Sequence, residues 1–571
     1  RQRRLLGSIV KEAKELRLAG SLEKACAKAK IAVAHYPSDV NARMVLAEVL
    51  IDLGRPVDAV PHLQVVLSID PLESRARQKL KLITGTHDYS LDVVETALAG
   101  TETRSGVYLR AAEYLNEGLL FADAARIAQA GLDRLTDEER ATGLFGGLLF
   151  QLAFALEGMQ DFDEAITVYD CVPVGQPIRR KAASHQARCL LELGRINEAE
   201  TVLDAAGVRF GGAIPHDAVL LPLLYLKQEI GKAHLTYRYR ATSQAIQEYF
   251  GTGLEPTAIC IASGAYREKN VLLISEGGPG DEIRFAATYG RLASLFRSLS
   301  VTCDPRLVSL MERSFPEITF VPVRRHRNEI LPASLHDRAR VNDRRLISFI
   351  NDRVIDAAAN ADLICSMLDT LGETRVARSD FRAGSRITPS AELKGIWRYK
   401  TAAESGSRMK VGLAWRSMLQ SNSRNRHYLR VQELEALGEI QDVDFWVLQP
   451  NATDEELKTL SSFIRICVPS GLDLVDDFES QAALISNLDV VVSPLTTTAE
   501  LAGMLGATTI ILSRTHLTTW RANPDESDVW YESGRVVTGT PVWDVDTLVE
   551  KVASQIEAMR GSRMDPTRLS G

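Results

Sequence analysis

Near its start the chain repeats residue types at an interval of 34: Gly20 and Gly54, Ala25 and Ala59, Pro37 and Pro71. The interval returns with Ala165 and Ala199, set in the matching phrases Phe162-Asp163-Glu164-Ala165 and Ile196-Asn197-Glu198-Ala199. A fixed period of this length describes a unit that buries its apolar face only by stacking on copies of itself. The residue types follow from packing. Glycine closes a short turn in a left-handed conformation, alanine lets two helices approach, and proline ends the second helix. The array is expected over most of residues 1–240. Gly54 lies 106 residues before Gln160, against 102 for three periods, so degenerate repeats with an insertion are expected over residues 85–150.

This unit resembles the tetratricopeptide repeat, a helix-turn-helix module. The resemblance implies a concave groove that holds a protein or peptide. A purely structural array or a dimerisation platform is the alternative reading, so an oligomer stays open. No single groove residue stands out.

Composition excludes several classes. The 571 residues are 45% hydrophobic and 25% charged, which is ordinary soluble composition and not that of a collagen-like, disordered or disulfide-stapled chain. With 67 Lys+Arg against 74 Asp+Glu the net charge is -7, so nothing general favours nucleic acid or an anionic bilayer. Any anion site must be local. The seven cysteines are scattered, with no CxxC pair, which fits a reducing cytoplasm. The longest uncharged stretch, Ala141 to Leu156, has 16 residues, Gln151 and three glycines among them. That is short of the ~20 apolar residues a membrane span needs, so a buried helix is expected. The chain begins Arg1-Gln2-Arg3-Arg4-Leu5-Leu6 without Met; the expectation is a trimmed start, with a missing leader left open.

Beyond about Phe250 the grammar changes to short apolar runs alternating with amphipathic helices, the sign of parallel α/β sheets. A first unit is expected with strands at 271–275, 301–303, 318–323 and 361–367 and helices around 281–297, 305–315 and 341–358. A second has strands at 410–415, 444–449, 464–468, 488–493 and 508–513, with helices around 430–440, 452–463, 477–487 and 498–506. The expected domains are therefore 1–245, 246–400 and 401–571, joined by a linker near 385–408. On that division a fragment from about residue 250 would keep the whole chemical half.

Ligands of such sheets sit at the carboxyl ends of the strands. The first loop there is Glu276-Gly277-Gly278-Pro279-Gly280-Asp281, opening a helix, where Asp281 reads equally as a helix cap or as a base for an incoming hydroxyl. The second is Ser493-Pro494-Leu495-Thr496-Thr497-Thr498-Ala499-Glu500, with more hydroxyls than a cap requires, which points to a phosphate cradle at a helix N-terminus. The third cluster is Trp415-Arg416-Ser417 followed by Ser423-Arg424-Asn425-Arg426-His427-Tyr428. Its arginines could fork onto a diphosphate or carboxylate, or form a solvated basic loop. The Arg-rich stretch Arg324 to Arg345 carries the same two readings. Walker A, GxSxG, HExxH and Cys/His ligand patterns are absent, so no metal site is expected.

Together these phrases resemble a bacterial family of tetratricopeptide proteins whose C-terminal half is a GT-B glycosyltransferase of two Rossmann-like domains, similar to flagellin-modifying enzymes. The resemblance rests on Glu276 to Asp281, Gly412 to Ser417, Arg424 to Tyr428, Leu448-Gln449, Asp473 to Asp477 and Ala482 to Gly506. It implies an α plus α/β fold, a repeat solenoid followed by GT-B, and an inverting, metal-independent transfer from a nucleotide sugar to Ser/Thr hydroxyls of a protein such as flagellin. No cofactor beyond the nucleotide-sugar co-substrate is implied. Asp281 would be the base. Ser493, Thr496, Thr497 and Thr498 would hold the donor phosphate, with Arg416, Ser417, Arg424, Gln449 and Glu500 also on the donor side. Glu276, Gly278 and Gly280 would line the acceptor side. Gly277 and Pro279 depart from the usual Gln and Leu, and Glu500 stands where many relatives carry His. Two rival readings stay open: a non-catalytic adaptor, and a transferase acting on lipid or polysaccharide.

Overall fold

The computed structural model describes residues 2–84, 89–99, 105–207, 219–251, 261, 263–324, 346, 349–381, 386–418 and 422–564. Contacts divide the chain into one unit built on Arg1–Arg209 and another on Phe210–Arg325 and Phe349–Gly571.

The first unit is a succession of helix hairpins. Gly20, Gly54, Leu119, Gln160 and Gly194 each occupy a hairpin turn at φ between 63° and 74°. The amide after each turn residue bonds back five residues: Ser21 to Leu16, Arg55 to Leu50, Leu120 to Leu115, Asp161 to Leu156 and Arg195 to Leu190. This is the left-handed helix ending in which orphan carbonyls find donors. Five residues beyond each turn stands an alanine, Ala25, Ala59, Ala124, Ala165 or Ala199, and all five are fully buried. The expected insertion is the short helix Asp137–Arg140, closed by a Thr136/Glu139 capping box. It accounts for the longer 119-to-160 step. The uncharged stretch forms the helix Gly143–Gly158, whose Leu148, Phe150, Ala153 and Ala155 are buried. No helix among the described residues is long and apolar enough to cross a membrane.

The second unit begins with one more hairpin of the same kind, Leu220–Leu226 and Ile230–Leu235. Gln228 takes the left-handed turn at φ 60°, Glu229 bonds back to Leu224, and Ala233 is fully buried. By repeat grammar this hairpin continues the array. By contact it belongs to the α/β body, because Tyr225 stacks on Trp520 with centroids 4.1 Å apart and rings 5° from parallel. The sequence-based boundary at 245 and the contact boundary at 209 thus differ by this hairpin and the helix Ala241–Phe250.

Two all-parallel sheets follow. The first consists of β1 (Asn270–Ile274), β2 (Ser298–Cys303), β3 (Ile318–Pro322) and β4 (Leu363–Ser366), in the order β3-β2-β1-β4. The second consists of β5 (Met409–Leu413), β6 (Val443–Val447), β7 (Ile466–Cys467), β8 (Val490–Pro494), β9 (Thr509–Ser513) and β10 (Gly534–Thr538), in the order β10-β9-β8-β5-β6-β7. Strands β1, β4, β6, β8 and β9 are buried almost throughout, as parallel strands covered on both faces must be. Strand β10 and the helix Val545–Met564 were not among the expected elements. β10 is an edge strand that exposes Arg535 between buried neighbours, which dilutes its apolar signal. Strand order reverses between β1 and β4 and again between β5 and β8, the two places where such sheets open a crevice for ligands.

Candidate active site

At the first reversal, Glu276 follows β1 and Ser366 ends β4. The Ser366 hydroxyl donates to Glu276, and so does the Arg240 guanidinium. The Glu276 side chain is only 1% exposed, so the acid expected to line the acceptor side is committed inside the fold. Beneath it, buried Asp369 accepts from Ser243 Oγ at 2.7 Å and from the Ser366 amide at 3.3 Å. Burial pushes this acid up to about 7; the Ser243 bond opposes that, and the Glu276 charge adds to it. Arg238 pairs with Glu373 nearby. Arg238, Arg240 and Ser243 all precede the first strand, so the segment after the last hairpin neutralises the floor of the β1 loop.

The loop then opens the helix Pro279–Phe285, whose first residue is preceded by Gly278 as cap position. Asp281 does not cap the helix. Its Oδ1 accepts from Arg284 Nη2 at 2.6 Å, one turn on, and the side chain is 45% exposed. The carboxylate is therefore held by Arg284 and not by the amides of the first turn. Gly280 is needed for close approach: a Cβ there would come 3.0 Å from Thr497 Oγ1 and 3.3 Å from Thr497 Cα. The glycine loop therefore abuts the threonine loop, although 216 residues separate Arg284 from Glu500.

The threonine loop leaves β8 through buried Ser493, whose Oγ bonds the Pro494 carbonyl at 2.8 Å and Thr496 Oγ1 at 2.9 Å. Thr496 is the cap position of the helix Thr497–Met504, and no side chain caps that helix. Its first-turn N–H groups have no intrahelical acceptor, the condition for an anion site. Thr497 faces Gly280, and Thr498 is buried. Glu500 lies in a buried ion network: it accepts from Arg521 Nη1 at 3.0 Å and from Tyr531 OH, and Arg284 Nη1 lies 3.4 Å from it. Burial favours its neutral form, but Arg521 and Arg284 outweigh burial and hold the carboxyl below its ordinary range. Arg521 in turn forks onto Asp528 at 2.8 and 2.6 Å. Glu500 thus has Arg521, Tyr531 and Arg284 as protein partners.

The third cluster surrounds β5 and β6. Gln449 Oε1 accepts from the amides of Trp415 and Arg416 at 3.1 and 2.9 Å, clamping the end of β5. Arg416 forks onto Glu456 at 2.7 and 2.6 Å and also donates to the Asn451 carbonyl. Burial opposes ionisation of Glu456, but the Arg416 fork prevails and draws its acid down to about 2. Arg416 and Gln449 therefore shape the loop, while Ser417 is half-buried and Arg424 is exposed on the short helix Asn422–Asn425. Burial, with the charges of Arg426, Arg514 and Arg424, pushes the His427 imidazole down to about 4. Arg514 escaped the sequence reading. It follows β9, donates to the Tyr428 carbonyl at 2.6 Å, and the strand-end rule was the available signal for it. Arg284, Arg521 and Tyr531 were missed as well. Only the i,i+3 spacing of Arg284 from Asp281 announced any of them. The stretch 325–345 lies outside the described residues.

A glycosyl transferase family 9 structure from Veillonella parvula aligns with 52% of this chain and 98% of its own at 10% identity and a TM-score of 0.35. The E. coli ADP-heptose LPS heptosyltransferase II aligns with 52% and 100% at 12% identity and the same TM-score. A mutant O-GlcNAc transferase from Thermobaculum terrenum aligns with 99% and 92% at 11% identity and a TM-score of 0.30. Protein FlbA of Caulobacter vibrioides is 25% identical over 437 residues, 74% of this chain and 68% of that protein. Residues 10–74 match the family described as tetratricopeptide repeat, in the segment where the turns at Gly20 and Gly54 stand.

Proposed function

We propose that the chain is a glycosyltransferase of GT-B type, which moves a sugar from a nucleotide-activated donor to a Ser/Thr hydroxyl of a protein held by the repeats. In this reading residues 1–245 select the acceptor, 246–400 present it and 401–571 bind the donor. Asp281 takes the proton of the acceptor hydroxyl as its oxygen bonds to the anomeric carbon. The bond from that carbon to the donor phosphate breaks on the opposite face, inverting the centre. The leaving phosphate is met by the hydroxyls of Thr496, Thr497 and Thr498 and by the start of the helix Thr497–Met504, with buried Ser493 holding Thr496 Oγ1 from behind. With a helix terminus serving the phosphate, the reaction needs no metal and no cofactor. A flagellin is the proposed acceptor and the cytoplasm the proposed compartment.

One observation carries this reading: the half-exposed carboxylate of Asp281 and the uncapped helix start of the threonine loop meet where Gly280 touches Thr497. A base for the nucleophile and a cradle for the leaving group, acting on opposite faces of the sugar, are what a single displacement requires. The test is intact-mass analysis of purified flagellin after incubation with the full chain and UDP-, CMP-, GDP- or ADP-linked sugars. The expected result is a mass gain of whole sugars, abolished by Asp281→Asn. Absence of nucleotide release, mass gain and calorimetric nucleotide binding with every donor would overturn the proposal.

A further inference from the structure

The two facing helix starts each carry an acid, Asp281 and Glu500, and one arginine serves both. Arg284 donates to Asp281 at 2.6 Å and reaches Glu500 at 3.4 Å. Glu500 is anchored by Arg521 and Tyr531, and Arg521 is forked onto Asp528. Exposure rises steadily along this ladder, from Asp528 at 0% and Arg521 at 3%, through Glu500 at 6% and Arg284 at 26%, to Asp281 at 45%. The Arg284 guanidinium is further confined by the rings of Phe285 and Trp530, at 4.8 and 5.8 Å from their centroids. The ladder has a rigid buried root on the second sheet and a half-exposed end on the first.

We propose that Arg284 and Glu500 are positioning residues, through which the second sheet orients the Asp281 carboxylate of the first. This rests on the reading of Asp281 as the base. Signs alternate along the ladder, with three acids and two arginines. Among the described residues, the ionisable groups near it include Tyr237 from the turn Thr236–Tyr239, beside Arg284 and Asp281, Tyr225 and His234, near Arg284, Arg378, near Asp528, and Tyr531, beside Glu500 and Arg521. A buried ion network is a poor device for stability alone, because apolar side chains of similar volume do as well or better. What it supplies is direction: a fork fixes the plane and distance of its partner carboxylate.

The test uses the full chain with Glu500→Gln, Arg284→Gln, Arg284→Lys and the double variant. Amide exchange over residues 277–285 should speed up roughly fivefold or more in either Gln variant, with no further gain in the double variant. Faster exchange confined to residues 497–531 in Glu500→Gln would overturn the proposal. With a nucleotide sugar that the wild type turns over, Glu500→Gln and Arg284→Gln should lower kcat by roughly 10- to 100-fold while donor KM stays within about twofold. Arg284→Lys should recover part of the loss, and an unchanged kcat in Glu500→Gln would equally overturn the proposal. Should Glu500→Gln not fold, Tyr531→Phe removes one hydrogen bond from the same carboxylate and must still loosen residues 277–285. A wild type that turns over no donor would sink the transferase reading, while the exchange measurement would still decide the ladder.

Discussion

Cutting the chain at residue 250, where the sequence changes grammar, should destroy the half it is meant to isolate. The residues lost would include Arg240, Arg238, Ser243 and Tyr225, partners of Glu276, Glu373, Asp369 and Trp520 in the α/β body. Glu276 is 1% and Glu373 12% exposed, so each would be left as a nearly buried acid without its arginine. Breaking one such pair costs about 3–5 kcal/mol, and the two together about 6–10 kcal/mol. Loss of the Tyr225–Trp520 stack adds about 0.5–1.5 kcal/mol beyond the area exposed. A domain's whole stability is about 5–15 kcal/mol, so the cut removes most or all of it.

A fragment starting at Val219 keeps every one of these contacts. It should be soluble, melt cooperatively by circular dichroism and bind nucleotide by calorimetry, whereas a fragment from Gly251 should be insoluble or lack a melting transition. Arg240→Ala in the longer fragment isolates the first pair and should lower its urea midpoint by the equivalent of about 3 kcal/mol. The reasoning is refuted if the Gly251 fragment melts within about 3 °C of the Val219 fragment.

Replacing Thr496, Thr497 and Thr498 together by Ala should weaken nucleotide binding by roughly 1–3 kcal/mol, read by calorimetry; wild-type affinity would remove them from the phosphate site. Asp281→Asn should leave that affinity intact and lower turnover roughly 10²- to 10⁴-fold, and an undiminished rate would deny it the role of base. Gln160→Gly should raise the urea midpoint by the equivalent of about 0.5–1 kcal/mol, because Gln160 sits at φ 70° and glycine carries no penalty there; a lower midpoint would count against the strain argument. Asp369, raised to about 7, binds a proton in the folded chain that the unfolded chain has already released above about pH 4. Its contribution is therefore complete below about pH 4 and falls away as pH rises towards 7, by on the order of 4 kcal/mol. Asp369→Asn should flatten the fall in stability between those values, and a slope equal to the wild type's would show that another group produces it.

The repeats were legible wherever glycine stood at the left-handed turn, at Gly20, Gly54 and Gly194. At Leu119 and Gln228 a residue with a side chain takes the turn and the repeat went unread, while at Gln160 the repeat was read from the phrase Phe162-Asp163-Glu164-Ala165 alone. Geometry there is enforced by the buried alanine five residues on and by the return hydrogen bond, not by the residue's own preference. Strands β1, β6, β8 and β9 were legible because burial on both faces demands unbroken apolar runs. The exposed Arg535 of β10 breaks that rule, whereas β7, expected over 464–468, is observed as the short strand Ile466–Cys467.

The loops at the strand ends were legible for a topological reason, since a parallel sheet delivers them all to one edge. Which side chains of a loop face a ligand and which face the protein was not. Arg416, Gln449 and Glu500 have the chemistry of ligand residues, yet each meets a protein partner whose place along the chain the motif does not encode: Glu456, 40 residues after Arg416; the Trp415 amide, 34 before Gln449; and Arg521, 21 after Glu500. A charged side chain at a strand end is thus evidence of a site only after its countercharge has been sought. For Asp281 the countercharge lies three residues on. Its countercharge, Arg284, is shared with Glu500, so the carboxylate is held on one side and left open on the other.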